Sequence, residues 1–313
     1  MAKYTIIGDI HATESNKHKV EKLFGIIESL GRPTIFLGDQ LDKRGYIEIN
    51  CLNQFYNYFS QSKLQHTLIV GNHCLSTQDS NGQHSMEVFK ALKSITVVDK
   101  PLRRGKLLFV PFQRSLGDFR RILGDYMMAD YLFFHQAVNN FDYGTGLIAE
   151  HELDLNALKW FKHAISGHFH KYQTKENFTY LGSPFSHTFG ESNQNKYLGI
   201  FDDETGEMEL IKTDFPKHVT TVLDLNVNIN LQVDYYDYNR VILKGTREQI
   251  AAFDKTKYPE FKFIEECILD IDILALKETE TPESLFQKWF TDIKKENNPD
   301  ILQLGLRLLK DVK

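Results

Sequence analysis

The chain has 313 residues, of which 42% are hydrophobic, 25% charged and 12% aromatic. That is too much core-forming surface for a disordered chain and enough length for more than one folding unit. The formal charge of −5 leaves no overall basic footprint, yet it does not exclude a nucleic-acid partner, because metal ions can neutralise carboxylates locally. Cys51, Cys74 and Cys267 stand at no disulfide, metal or redox spacing, no apolar leader precedes the first strand, and no stretch approaches the ~20 apolar residues of a membrane span. A cytoplasmic protein in a reducing compartment is therefore expected.

Short β-rich runs at residues 4–9, 33–39, 64–72, 94–98, 106–112 and 131–135 alternate with stretches of helical spacing, such as Val20, Leu23, Ile26, Ile27 and Leu30. This pattern predicts a layered α/β domain. After "AISGHFHKYQ", the strand-like "YLGSP" and "KYLGIFDDETGEMELIKTDF" predict a second sheet packed on the first, and the large domain, 1–214, closes near Asp214. From 219 onward "VTTVLDLNVNI", "RVILKG", "TREQIAAFDK" and "FKFIEECILDI" predict a small strand, strand, helix, strand cap domain at 219–272. A helical tail spans 281–313. Thr281, Pro282 and Glu283 open one helix with a stripe of Leu285, Phe286, Trp289, Phe290 and Ile293. Asn298 and Pro299 open a second, carrying Ile301, Leu302, Leu308, Leu309 and Val312. Such an amphipathic hairpin at a chain end needs something to cover it.

Five short motifs share one grammar, a β-rich run that ends in a polar cluster: "GDIH" at 8, "GDQLD" at 38, "GNH" at 71, "FFHQ" at 133 and "GHFH" at 167. Strand ends are where sites form in α/β folds, and a glycine there lets the backbone bend so that the following side chains can meet. Oxygen donors and imidazoles that converge bind metal. The inventory suits two divalent ions about 3.5–4 Å apart, sharing one carboxylate, with positions open for water and phosphate. Asp39 is the candidate bridge. No cysteine lies where a Cys-ligated zinc would want one, so a borderline-hard ion such as manganese fits better. Of 12 histidines, His11, His73, His135, His168 and His170 stand in the motifs. For His18, His66, His84, His151, His163 and His218 the ordinary packed or solvated reading holds, and His187 is set apart only because it follows "GSPFS".

In this order the motifs resemble the calcineurin-like metallophosphoesterase superfamily, over roughly residues 1–214. Within it the chain is most similar to the SbcD-type DNA exonuclease subunit and its bacteriophage recombination-endonuclease versions, in length, in "SGHFH" followed by "YLGSPF", and in the cap and tail. The resemblance implies an α/β fold: a two-sheet sandwich flanked by helices, with a small α+β cap and a C-terminal helical tail. It implies that Asp9, His11, Asp39 and His170 hold one ion and that Asp39, Asn72, His135 and His168 hold the other, with Mn2+ the best candidate. His73 would bind no metal but face the scissile phosphate and help protonate the leaving oxygen. Asp42 resembles the carboxylate that hydrogen-bonds this histidine and fixes its orientation. Two positions depart from the family pattern. Cys74 stands where an acidic residue usually follows "GNH", which predicts weakened support but no lost metal. In "GDQLDKRG", Lys43 is an extra residue relative to the phosphatase form GDxxDRG, so an arginine reading a phosphomonoester is not in its usual register.

The expected activity is a two-metal phosphodiesterase acting on DNA ends in recombination or repair. The resemblance further implies a homodimer whose partner is an SbcC-like coiled-coil ATPase, with no membrane association, in the host cytoplasm if the chain is phage-encoded. Arg103, Arg104 and Lys106, and then Arg114, Arg120 and Arg121, are either contacts for a phosphate backbone or, more commonly, solvated faces. A protein or small-nucleotide phosphatase with the same metals is the first competing reading, disfavoured by the cap, the tail and Lys43. A non-catalytic scaffold of the same fold is the second, disfavoured because no ligand is missing.

Overall fold

The computed structural model describes residues 2–77, 83–227, 231, 234, 237–267, 281–290 and 298–310. Ile293, Val312, the side chains of Leu308 and Leu309, and residues 268–272 of the expected cap lie outside the described residues.

The sequential strands of the first half are β1 (Lys3–Ile7), β2 (Thr34–Phe36), β3 (His66–Ile69), β4 (Ile95–Val98), β5 (Leu102–Arg104), β6 (Leu107–Val110) and β7 (Tyr131–His135). They are followed by β8 (His163–Gly167), β9 (Gln173–Lys175), β10 (Phe178–Tyr180), β11 (Tyr197–Asp202) and β12 (Met208–Lys212). Two six-stranded sheets result, in the orders β12-β11-β1-β2-β3-β4 and β5-β6-β7-β8-β10-β9. Each central strand is covered on both faces, which is why it reads as an unbroken apolar run. Ile6, Ile35, Leu37 and Ile69 of the first sheet pack between the sheets against Leu107, Phe109, Phe133 and Ile165. Their neighbours Ile7, Phe36 and Leu68 face outward onto Val20, Leu23 and Ile27 of helix α1 (Lys17–Leu30) and Phe55 and Phe59 of α2 (Ile49–Gln61). On the second sheet Leu108, Leu132 and Phe134 face Phe119 and Leu123 of α3 (Leu116–Asp125). Alternation along a strand thus serves two cores at once.

β1 through β4 pair in parallel, as do β6, β7 and β8. The C-terminal ends of β1, β2 and β3 therefore share one edge of the first sheet, and those of β7 and β8 one edge of the second. All five motifs begin at these ends.

The chain divides into two compact units, Met1–Thr220 with Val233–Arg240, and Thr221–Gln232 with Val241–Lys313. A third sheet joins β13 (His218–Asp224), β14 (Tyr238–Gly245) and β15 (Lys262–Cys267), with α4 (Arg247–Ala252) between the last two, in the strand, strand, helix, strand order expected from the sequence. Leu223, Leu225, Val241, Leu243 and Ile250 form the core of the second unit. Further along lie α5 (Pro282–Lys288), capped by the Thr281 side chain, and α6 (Pro299–Lys310). The apolar stripe of α5 is partly used within the tail. The Phe286 ring lies so close to Gly305 of α6 that a Cβ there would sit 2.3 Å from it, and Phe290 is buried. Ile301 and Leu304 of α6 remain exposed. Among the described residues no helix is long and apolar enough to cross a membrane.

Candidate metal centre

Pairing between the first two strands continues beyond their ends. His11 N donates to Asp39 O and Ala12 N to Gln40 O, each at 2.9 Å, so the Asp9 and Asp39 loops run side by side. His11, Asp39 and His168 take the left-handed backbone region, with φ of 44°, 51° and 86°. L-residues with side chains rarely adopt it, and such strain persists where the surroundings over-determine it. Here they do. The Asp9 carboxylate accepts from His168 N at 2.9 Å, and Asp39 Oδ1 accepts from His73 N at 2.7 Å. Two motif glycines are required by close approach: a Cβ on Gly71 would lie 2.2 Å from Asp39 Oδ1, and one on Gly38 2.2 Å from His135 Nδ1.

All seven expected ligands come together, in two groups. His135 Nε2 lies 2.8 Å from Asn72 Oδ1, 3.2 Å from His168 Nδ1 and 3.2 Å from Asp39 Oδ2, and Asn72 Oδ1 is 2.9 Å from His168 Nδ1. In the second group His11 Nε2 faces His170 Nε2 at 3.2 Å, and Asp9 offers a carboxylate oxygen within 4.8 Å of both. Asp39 stands between the groups, with Oδ2 3.8 Å from His11 Nε2.

The non-coordinating nitrogens of His11, His135 and His170 are accounted for. His11 Nδ1 donates to Asp42 Oδ1 at 3.1 Å, His135 Nδ1 to Leu37 O at 2.9 Å, and His170 Nδ1 to Glu191 Oε1 at 2.9 Å. With those protons placed, Nε2 of each ring presents a lone pair to its cluster. Lone pairs of nitrogen and oxygen then face one another at about 3 Å, the ligand-to-ligand spacing around a cation with bonds of about 2.1 Å. The donor set fits divalent ions. Asn72 fits with its oxygen turned inward. The opposite amide orientation would let it donate to Asp39, His135 and His168 and accept from Arg44 Nη2 at 2.6 Å, the arrangement suited to a centre without a cation.

Charge balance points the same way. Asp9 and Asp39 are fully or almost fully buried carboxylates. Burial would lower the His135 imidazole, but Asp39 and Asp9 outweigh it and push His135 up to about 9. Burial and the neighbouring His135 bring His168 down to about 3. A buried group of acids that draws a proton onto one imidazole is a group with negative charge in excess, which a cation would neutralise in the proton's place.

His73 lies outside the groups around His135 and His170, with a ring nitrogen within 4.8 Å of ligand atoms of His11 and Asp39. Its ring meets that of His11 edge to face at a centroid distance of 4.6 Å, and it lines a cavity of about 590 Å³ with His11, Asp39, Asn72, His168 and His170. The expected role of Asp42 needs correction. Its carboxylate holds His11, and it is the Asp42 backbone carbonyl that accepts from His73 Nδ1, at 2.7 Å.

The two departures from the family pattern have structural outcomes. Cys74 is buried with its thiol pushed up to about 12 by burial, and it donates to Gln40 Oε1 at 3.3 Å, so it packs as a neutral group. Lys43 turns to Asp42 Oδ2 at 3.0 Å, which leaves Arg44 against Asn72. The basic clusters lie elsewhere: Arg103, Arg104 and Arg121 are exposed and engage Gly105 O, Thr96 Oγ1 and Asp118 respectively, and none lines the cavity. Residues outside every motif complete the surroundings. His187 Nε2 donates to Asp9 O at 3.2 Å, and Glu191 and Lys196 form a buried ion pair behind His170. Only the "GSPFS" preceding His187 gave any signal for them in the sequence.

The family model for calcineurin-like phosphoesterases matches residues 2–197. The chain is similar to exonuclease subunit 1 of Enterobacteria phage T4, with 28% identity over 197 residues, covering 59% of this chain and 56% of that protein. The matched stretch thus spans little more than half the length of that relative. A protein of Invertebrate iridescent virus 6 described as a phosphoesterase is 28% identical over 284 residues, 82% of this chain and 98% of its own. A solved archaeal phosphodiesterase aligns over 67% of this chain and 99% of its own at 14% identity, with a TM-score of 0.38. With the family model matching well over half of its length and two clusters of metal-ligating side chains at the strand ends, the chain belongs to the calcineurin-like phosphoesterases and is a metal-dependent hydrolase of phosphoesters.

Proposed function

We propose that the protein is a Mn2+-dependent DNA phosphodiesterase, the nuclease subunit of a DNA-end-processing enzyme in recombination or repair. The observation that carries the reading is the pairing of two ligand clusters through Asp39 with His73 beside them in one cavity. Bound there, two divalent ions supply Lewis acidity at the phosphoryl oxygens and an activated water for in-line attack. The chain supplies the rest. His73, with Nδ1 tied to Asp42 O, lines the cavity, and in its doubly protonated form it would pass the Nε2 proton to the leaving oxygen. The similarity to a phage exonuclease subunit supports DNA as the substrate and a multi-subunit enzyme as the context. On this reading the partner is an SbcC-like coiled-coil ATPase, the working form is a homodimer, and the site of action is the host cytoplasm.

A second reading is favoured by one observation. Arg44 places its guanidinium beside Asn72, and its buried Nε has no hydrogen-bond partner among the described residues, which suits a terminal phosphate. One assay separates the two. Purified protein with Mn2+ is incubated with double-stranded DNA, single-stranded DNA and para-nitrophenyl phosphate. Cleavage of DNA with little release from the monoester is expected. Monoester turnover without DNA cleavage would establish the phosphatase reading, and no hydrolysis of any of them would sink both.

A further inference from the structure

His11 and His170 present Nε2 to each other across one cluster, and each is held from behind by a carboxylate. The two supports differ in kind. Asp42 lies on the rim of the cavity, partly exposed, with the partly exposed Lys43 at its other oxygen. Glu191 is buried, and its second oxygen lies 2.5 Å from Lys196 Nζ, itself buried. Lys196 also donates to Ser183 Oγ at 2.9 Å and to the backbone carbonyl of His170 at 2.7 Å. His170 is therefore gripped twice, at its ring by Glu191 and at its backbone by Lys196.

Stability alone does not account for such a pair. Taking two charges out of water costs several kcal/mol per ion, and well-packed apolar residues in their place are often as stable or more so. What apolar residues cannot do is accept a hydrogen bond from an imidazole. An ionised carboxylate only accepts, so Glu191 places the His170 proton on Nδ1 and leaves the Nε2 lone pair for the cluster. The geometry points to Glu191 and Lys196 as positioning residues that fix the tautomer and place of His170, and thereby set the affinity of the Asp9, His11, His170 cluster for a divalent cation. The inference rests on the metal centre and not on DNA as substrate. One rival uses the same atoms: His170, His187 and Glu191 also lie within ligand reach of one another, so Glu191 could be a ligand itself.

Two double variants and one spectrum decide between them. Glu191→Gln with Lys196→Met removes both charges but keeps an oxygen that can accept from His170 Nδ1. Glu191→Ala with Lys196→Met removes the acceptor. Mn2+ binding is measured by calorimetry and metal analysis, with circular dichroism confirming the fold. The Gln/Met protein is expected to bind two ions with affinities close to those of the unaltered chain, and the Ala/Met protein to lose about 10–100-fold at one site only. Equal affinities in all three proteins would show the pair to be structural, and loss of one ion in both variants would make Glu191 a ligand. Should the Ala/Met protein fail to fold, the long-range 15N–1H spectrum of the cation-free, unaltered protein still decides. A His170 proton on Nδ1 supports the inference and one on Nε2 overturns it. Neither readout involves hydrolysis, so failure to cut DNA would leave this inference standing.

Discussion

The carboxylate of Asp42 accepts from Nδ1 of His11 at 3.1 Å, an acceptor given to a member of one ligand cluster and not to His73. The bond to His11, more than the lysine at its other oxygen, holds Asp42 well below the usual carboxylate range despite partial burial. Asp42→Ala should therefore weaken Mn2+ binding at one of the two sites by about 10–100-fold, while turnover at saturating Mn2+ recovers to within a few-fold. A metal titration of hydrolysis reads both quantities. Unchanged metal dependence with a lasting loss of turnover would mean that Asp42 acts through His73 after all.

His135 and Asn72 belong to the other cluster, where each has two or more potential ligands within 3.2 Å. His135→Ala or Asn72→Ala should leave one ion per chain and remove essentially all hydrolysis, because a single ion cannot stabilise both attacking and leaving oxygens. Metal analysis of the variants is the check. Two ions retained together with activity would dissolve the assignment of this cluster.

For His73→Ala the pattern should invert. Its ring approaches His11 and Asp39 without joining the groups around His135 or His170, and its backbone N–H, which holds Asp39, survives the substitution. Both ions should stay bound while turnover falls about 10²-fold or more, the size expected for loss of a positioned acid. Full activity would remove the proton-transfer role.

The residues of the two clusters were legible in the sequence because they stand at the end of an apolar strand or within four residues of it, where a parallel sheet must present its strand ends together. Other parts of the centre were not. Glu191 and Lys196 lie in "GESNQNK", a polar loop with no motif of its own, and only tertiary folding carries them behind His170. Likewise, non-glycine residues at positive φ, His11, Asp39 and His168, leave no compositional trace. Which atom of Asp42 meets which histidine is a matter of ångströms, below what spacing can encode. The tail shows the converse limit: helical spacing anticipated the helices α5 and α6 but could not tell that Phe286 meets Gly305 of the neighbouring helix.

His66, an ordinary packed histidine by its sequence context, makes stability depend on pH. It opens β3, buried among Phe36, Tyr58 and Phe59, with Nε2 bonded to Ser62 Oγ and a buried Nδ1 left without a partner among the described residues. Burial lowers its pKa to about 4. As pH falls below the ordinary value of about 6.5, the unfolded chain takes up a proton that the folded chain refuses, so stability drops until pH reaches about 4. The loss from this residue should be ~3 kcal/mol. Urea unfolding of metal-free protein at pH 7, 5.5 and 4 should show His66→Phe losing less stability over this interval than the unaltered chain. Parallel curves for the two would show that His66 is protonated in the fold at little cost.

The last prediction concerns the exposed side of the tail. Phe286 and Phe290 are engaged within it, whereas Ile301 is 49% and Leu304 58% exposed one turn apart on α6. Apolar residues three apart on one helical face suit a partner's groove. If that partner is a coiled-coil ATPase, Ile301→Glu with Leu304→Glu should abolish its capture, since two carboxylates would have to be desolvated at the contact. The candidate ligands all precede residue 171, so the same variant should retain two ions and hydrolyse bis-para-nitrophenyl phosphate normally. Gly305→Leu provides the contrast. Its side chain would collide with the Phe286 ring, so it should disrupt the helix pair itself and lower helicity by circular dichroism. The measurement is co-purification of the tagged variants with a partner identified by mass spectrometry as a coiled-coil ATPase. Undiminished recovery with the double glutamate variant would place the partner's seat elsewhere on the chain.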